Sequence, residues 1–310
     1  MPSDPRDPAE RRDAARTRDM SGTTPPRPAL PPPLPLAHGD LDEQDALELH
    51  ALKRQIQASS GLFCEGYKEK CLRRRLAVRM RARGVHRYAD YAALLDADPA
   101  EYKTLVQTVT INVSKFYRNP EVWDAVRTVV LPDLLERGRP VRVWSAGTAT
   151  GEEPYTFAML VREYLEVAGR IEQAGAVDIQ ATDIDAPALE KAQLGIYPDL
   201  AMVEAPAAAR ARWFHPGGPP YRVRDEIKRM VRFTQGDLIR DPAPAELDLV
   251  FCRNVFIYFE RELQEELLTR FVDALRPKGW LVLGKVETLL GPVARRLETV
   301  RSRERIYRKR

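Results

Sequence analysis

Two adjacent carboxylates, Glu152 and Glu153, leave a turn holding Gly147 and Gly151 in the stretch Val141-Arg-Val-Trp-Ser-Ala-Gly-Thr-Ala-Thr-Gly-Glu-Glu-Pro-Tyr155. A short apolar run enters that turn and a helix opens behind it, which is where open α/β sheets hold nucleotide-like ligands. The glycines let backbone approach a ligand closely. Two acids at the mouth repel a pyrophosphate and suit a ligand with an amine or a sulfonium. The glycine spacing is neither G-x-G-x-x-G nor a P-loop. Taken alone, the stretch also reads as an ordinary strand-to-helix turn with acids favoured by the helix dipole.

Three further groups of residues carry possible chemistry. Asp183 ends a second apolar run, the place where one carboxylate can accept from both hydroxyls of a ribose. It lies farther from the glycine turn than the roughly 20 residues usual for NAD sites, which predicts a long intervening helix and loop. In Thr110-Ile-Asn-Val-Ser-Lys-Phe-Tyr-Arg118, the polar Asn112, Ser114 and Arg118 are interspersed with Val113 and Phe116, so the segment packs while offering polar groups to a site. Asp185 suits a helix N-cap. The fourth stretch, Phe251-Cys-Arg-Asn-Val-Phe-Ile-Tyr-Phe259, follows an apolar run and brings Arg253, Asn254 and Tyr258.

The elements that must position these groups are legible in outline. From Val141 onward strands and helices alternate, as in a parallel sheet wrapped by helices. Strands are predicted at Val177 to Thr182, Leu247 to Cys252, Trp280 to Gly284 and Val300 to Tyr307, with helices at Ala186 to Leu194 and Glu260 to Leu275. Tyr221 to Thr234 alternates like a strand and is predicted to form a small hairpin with Trp213 to Tyr221 around Pro216-Gly-Gly-Pro-Pro220. Ahead of the sheet, from Leu41, the pattern is helical. Leu49, Leu52 and Ile56 mark one face of a first helix closed by Gly61, and Leu72, Leu76 and Met80 mark a second from about Gly66 to Arg83. Shorter helices follow, with Tyr88, Tyr91, Leu94 and Leu95 inward and starts at Asp98-Pro99 and Asn119-Pro120.

The second helix carries eight cations, Lys68, Lys70, Arg73, Arg74, Arg75, Arg79, Arg81 and Arg83, against Glu69 alone. A solvated face is one reading. An acidic protein surface is the better functional one, since nucleic acid would call for interleaved aromatics that the helix lacks. The net charge of +4 puts any such preference in local clusters.

Composition excludes other classes. Three cysteines, Cys64, Cys71 and Cys252, and four scattered histidines indicate neither a disulfide framework nor a zinc site. No apolar run reaches the roughly 20 residues that span a bilayer, and no signal peptide is evident, so a cytoplasmic location is expected. Residues 1 to 40 hold ten of the 25 prolines and read as a disordered tail, with Pro25 to Pro35 also suited to polyproline II.

The run Thr110 to Arg118 with Asn119-Pro120, the loop Ser145 to Tyr155, Thr182-Asp-Ile-Asp185, Gly195-Ile-Tyr197 and Phe251 to Phe259, standing in this order, resemble the CheR-type chemotaxis receptor glutamate methyltransferases. The likeness runs from about residue 45 to the carboxyl end. It implies an α/β fold, a Rossmann-like SAM-dependent methyltransferase sheet with a small antiparallel β-subdomain, preceded by an all-α N-terminal domain. The expected divisions are a tail at 1–40, helical domain and linker at 41–118, and an S-adenosylmethionine domain at 119–310 with a hairpin inserted at about 213–235.

By the same resemblance, S-adenosyl-L-methionine would contact Asn112, Ser114, Arg118, Glu153, Asp183, Asp237, Leu238, Arg253 and Asn254, leaving S-adenosyl-L-homocysteine as product. Arg118 and Tyr258 would sit nearest the transferred methyl. The methyl acceptor would be glutamate side chains on the cytoplasmic helical region of chemoreceptors, met by Arg73, Arg74, Arg75 and Arg79 of the basic helix. No metal, nucleic acid or membrane insertion is implied, and a monomer is expected. Asp237 stands where well-known members carry an amide, and Gly284-Lys-Val-Glu287 replaces a Gly-x-Ser-Glu pattern. The short hairpin predicts an enzyme independent of a receptor tether peptide. A non-catalytic regulator that senses S-adenosylmethionine or its product is the alternative from another class.

Overall fold

The computed structural model describes residues 41–110 and 112–310. The proline-rich tail lies outside the described residues. Four helices come first: α1 (Glu43–Ser60), α2 (Glu69–Ala82), α3 (Tyr88–Ala97) and α4 (Ala100–Val109). The Asp42 carboxylate caps α1 by accepting from the Asp45 amide at 2.7 Å. Gly61, at φ +78°, ends it in the left-handed turn that glycine adopts without strain. The expected inward faces meet: Leu52, Ile56, Leu72, Leu76, Met80, Tyr88, Tyr91 and Leu95 are fully buried. Leu94 is half-buried.

Two of the eight cations on α2 and its caps belong to this interior. Arg79 makes a two-pronged bond to Glu101, at 2.7 and 2.8 Å, and Tyr91 and Arg83 donate to the same buried carboxylate at 2.8 and 3.1 Å. Arg73 is buried beside Glu69 and Tyr88. The basic face is therefore narrower than the charge run predicts, because a carboxylate 22 residues onward draws Arg79 inside. Arg74 stays exposed and Arg75 half-buried.

Past the linker, α5 (Pro120–Ala125) and α6 (Leu131–Leu135) form one run through a π turn and lead into β1 (Val141–Ala146). The chain then alternates α7 (Glu152–Val167), β2 (Val177–Asp183), α8 (Ala186–Leu194), β3 (Ile196–Tyr197), α9 (Ala207–Trp213), β4 (Tyr221–Arg222), α10 (Asp225–Lys228), β5 (Val231–Gln235), β6 (Leu247–Cys252), α11 (Arg261–Ala274), β7 (Leu275–Leu283), β8 (Leu297–Arg301) and β9 (Ile306–Lys309). The main sheet has the order β5-β2-β1-β6-β7-β9-β8. All neighbours from β5 to β7 are parallel, and β9 runs antiparallel to both β7 and β8. Strand β6 is buried along its whole length, as a central parallel strand must be.

Two strand assignments change. Tyr221 to Thr234 is not one strand. It divides into β4, the short α10 and β5, and β5 joins the main sheet beside β2 instead of a separate hairpin. The small antiparallel sheet pairs β3 with β4 over Ile196–Tyr197 and Tyr221–Arg222, with a Phe214–Val223 bridge alongside. Likewise Val300 to Tyr307 spans the β8–β9 turn, where Arg305 takes φ +57°. No described helix is long and apolar enough to cross a membrane.

Candidate active site

The carboxyl ends of β1, β2, β5 and β6 open on one pocket, at the place where the strand order reverses direction around β1. The glycine turn, the linker and the loops after β5 and β6 all contribute to its lining. All ten residues named from the resemblance as cofactor contacts or methyl neighbours line it: Asn112, Ser114, Arg118, Glu153, Asp183, Asp237, Leu238, Arg253, Asn254 and Tyr258. The sequence reading did not name Leu62, Phe63 and Tyr67, which reach the pocket from the chain between α1 and α2. Aromatics immediately ahead of the basic helix were the available signal.

The glycine turn is shaped by its conformation. Gly147 stands at φ +76°, and a Cβ there would lie 2.5 Å from Val255 Cγ2, so any larger residue collides with the loop after β6. Ala149 takes φ +52° and donates its amide to Asp183 Oδ2 at 2.7 Å, while the Asp185 amide reaches Asp183 Oδ1 at 3.0 Å. Asp183 thus ties the ends of β1 and β2 together from the pocket wall. Asp185 precedes α8, yet its carboxylate bonds Asn112 of the linker and makes no side-chain cap.

The two acids that follow the turn part company. Glu153 faces the pocket, accepts from Ser145 Oγ at 2.8 Å and pairs with Arg253 at 3.4 Å. Burial pushes its carboxyl up from the ordinary value and Arg253 opposes that shift. Glu152 is buried on the other side of the linker against Thr150, at 2.8 and 2.9 Å. Its carboxyl is also raised by burial.

Arg253 locks the linker that carries Arg118. Its Nη2 donates to the Arg118 carbonyl at 2.8 Å and to Asn119 Oδ1 at 3.1 Å, and its guanidinium lies 5.4 Å from the Trp123 ring centre. Phe116 donates to the Ala201 carbonyl at 2.9 Å, Tyr117 to Thr156 Oγ1 at 3.2 Å and Asn119 to Glu204 Oε2 at 2.7 Å. Tyr117 and Asn119 both hold positive φ, +56° and +60°. Such backbone persists only where its surroundings over-determine it, and it collects at functional sites. The Arg118 side chain donates from Nη1 to the Val113 carbonyl at 3.0 Å.

Glu287 organises the opposite wall. Buried behind β6, its Oε1 accepts from the Val255 and Phe256 amides at 2.8 Å each, and its Oε2 from Asn254 at 3.0 Å and Gly284 at 2.6 Å. Four backbone donors on one carboxylate fix the turn leading to Tyr258. That turn also receives the helical region: Lys68 donates its amide to the Tyr258 carbonyl and Glu260 donates to Gly66, both at 2.8 Å. Burial pushes the Tyr258 hydroxyl up, with Arg75 and Arg118 opposing, so Tyr258 is a neutral donor at pH 7.

Residues 112–306 match the family described as "CheR methyltransferase, SAM binding domain", and residues 47–110 match "CheR methyltransferase, all-alpha domain". The chain belongs to the CheR methyltransferase family. It is 35% identical over 248 residues to a chemotaxis protein methyltransferase of Klebsiella aerogenes, covering 76% of this chain and 81% of that one. A chemotaxis protein methyltransferase of Listeria monocytogenes is 33% identical, covering 80% of this chain and 92% of its own. For chemotaxis protein methyltransferase 2 of Pseudomonas aeruginosa the figures are 33%, 78% and 87%.

The pocket fits the cofactor that this CheR family uses. Thr148 and Asn254 line it, and Thr148 Oγ1 and Asn254 Oδ1 are buried without a hydrogen-bond partner among the described residues, a costly state unless a ligand meets them. Asp183, Asp237 and Glu153 add acceptors suited to hydroxyls, an amine and a sulfonium, and no Lys-Ser/Thr phosphate cradle stands at the helix start. Asp237 Oδ1 already accepts from the Ile239 amide at 2.8 Å.

Proposed function

We propose that this CheR-family protein transfers a methyl group from S-adenosylmethionine to glutamate side chains of chemoreceptors, forming methyl esters. The observation that carries the reading is the convergence, on one pocket at the sheet's switch point, of an acceptor-rich wall with Arg118 and Tyr258. Asn112, Ser114, Glu153, Asp183, Asp237, Leu238, Arg253 and Asn254 would hold the cofactor. When bound, S-adenosylmethionine supplies an electrophilic methyl whose transfer to a carboxylate oxygen consumes one positive and one negative charge and moves no proton.

The acceptor is a carboxylate with a reference pKa of about 4.3, hence already anionic at pH 7. The chain is therefore asked for alignment more than for acid–base work. Arg118 can fix a carboxylate through two parallel N–H bonds, although a cation there also lowers its nucleophilicity. Its role is positioning, with the neutral Tyr258 hydroxyl as second donor. Glu153 and Arg253 compensate one another beneath, so neither presents an unpaired charge to the reacting groups.

Arg74 and Arg75 lie on α2 near Tyr258 and would face the acidic receptor helix. The small sheet supports tether independence, since β3 and β4 pair over two residues each and offer little edge to an added peptide strand. The test is incubation with methyl-labelled S-adenosylmethionine and receptor cytoplasmic fragments, reading base-labile label. Label on receptor glutamates is expected. Tight cofactor binding without labelling would favour the regulator instead.

A further inference from the structure

Five of the ten exposed large apolar side chains among the described residues are Val113 and four within residues 194–203: Leu194, Ile196, Leu200 and Val203. Val113, Ile196 and Leu200 line a groove that shares Asn112, Val113 and Ser114 with the cofactor pocket. The linker is thus a wall between two depressions, with Glu153 on one side and Glu152 on the other. The Glu152 carboxylate is turned inward to Thr150, so it leaves the apolar rim without an exposed negative charge. Two cations of the same linker, Lys115 and Arg118, line the pocket side, and Lys191 lines the groove side.

We infer that this groove, extended by the exposed Val203 three residues past Leu200, is the docking surface for the substrate helix, with apolar residues of that helix on Ile196, Leu200 and Val203 and its methyl-accepting glutamate turned over the linker toward Arg118. The inference rests on the reading given under Proposed function. Continuity with the reaction pocket identifies the occupant: a helix lying here is one wall away from the reacting groups. Charge complementarity agrees, because the exposed charge lining the groove is the cation Lys191, beside the apolar Val113, Ile196 and Leu200, and further cations, Lys115 and Arg118, line the pocket across the linker. An amphipathic helix presents that pattern, an acid with apolar residues three, four or seven positions away on the same face. Exposed apolar surface of this kind marks contact sites. With Arg73 and Arg79 drawn into the helical interior, the basic helix alone offers fewer contacts than its charge run predicts, and the groove supplies a second, more apolar one.

The groove is also joined to Arg118. The segment bearing Leu200 and Val203 accepts the Phe116 amide at Ala201 and, at Glu204, the Asn119 amide and Lys115 Nζ at 3.3 Å. A helix pressing on Leu200 and Val203 bears directly on the residues that hold the strained linker.

The test uses the full chain with Leu200→Gln and Val203→Gln together, both on exposed side chains, and Val167→Gln as an exposed apolar control elsewhere. The double variant should raise KM for a receptor fragment by about tenfold or more, with cofactor affinity by calorimetry and melting temperature unchanged, and the control should do nothing. A receptor KM within about twofold of wild type overturns the inference. So does loss of self-association at unchanged KM, which would assign the groove to a second copy of the chain. If the wild type labels no receptor at all, the functional reading fails and this surface with it, whereas labelling at an unchanged KM sinks the surface alone.

Discussion

Replacing Glu287 with Gln tests the wall that leads to Tyr258 with a change of one atom. Each carboxylate oxygen accepts two backbone N–H groups, so either orientation of the amide leaves two buried donors facing an NH₂. At about 1–3 kcal/mol for each unsatisfied buried donor, the loss is about 2–6 kcal/mol. Against a typical stability of about 5–15 kcal/mol the protein still folds, but with a greatly reduced margin. Because the same bonds fix Asn254 and the turn into Tyr258, cofactor affinity and methyl transfer should fall in parallel. Urea unfolding monitored by circular dichroism gives the stability change, and calorimetry with S-adenosylhomocysteine gives the affinity. A stability loss below about 0.5 kcal/mol, the level of an ordinary surface substitution, would refute the claim that these four bonds hold the turn.

Three other perturbations separate structure from recognition. Arg79→Ala leaves the Glu101 carboxylate with only Arg83 and Tyr91, and should cost about 2–4 kcal/mol by thermal or urea unfolding while leaving receptor KM unchanged. Charge reversal at Arg74 and Arg75 should do the opposite, raising receptor KM in a salt-dependent way at unchanged stability and cofactor affinity. Gly147→Ala forces a Cβ against Val255 at positive φ and should cost more than about 2 kcal/mol, with weaker S-adenosylmethionine binding by calorimetry. Asp183→Ala should weaken cofactor binding by about 1.5–3 kcal/mol for the charged acceptor alone, and unchanged affinity would remove its ribose assignment.

The features legible in the sequence are those whose cause is local. Leu247 to Cys252 and Ala186 to Leu194 appear with the expected bounds, because a run that is apolar except for Asp248 and a proline-to-glycine helix announce themselves. Glu153, Asp183, Asp237, Leu238, Arg253, Asn254 and Tyr258 come together because the carboxyl ends of parallel strands open on one edge of the sheet, whereas Asn112, Ser114 and Arg118 reach the pocket from the linker ahead of β1. What was not legible depends on partners distant in sequence. Arg79 reads as one more exposed cation until Glu101 is packed against it, and Glu287 shows nothing of the three amides more than 30 residues upstream that it binds. The β8–β9 turn escaped notice because Ser302 to Arg305 contains neither glycine nor proline. Strand-like alternation over Tyr221 to Thr234 hid α10, a helix of only one turn.

The measurement closest to the central claim is peptide mass spectrometry of a receptor cytoplasmic fragment after incubation with this protein and deuteromethyl S-adenosylmethionine. The account predicts deuteromethyl groups on glutamate side chains, removed by mild alkali, and their near absence with Arg118→Ala at equal cofactor occupancy. Label on residues other than glutamate, or undiminished labelling by Arg118→Ala, would contradict it.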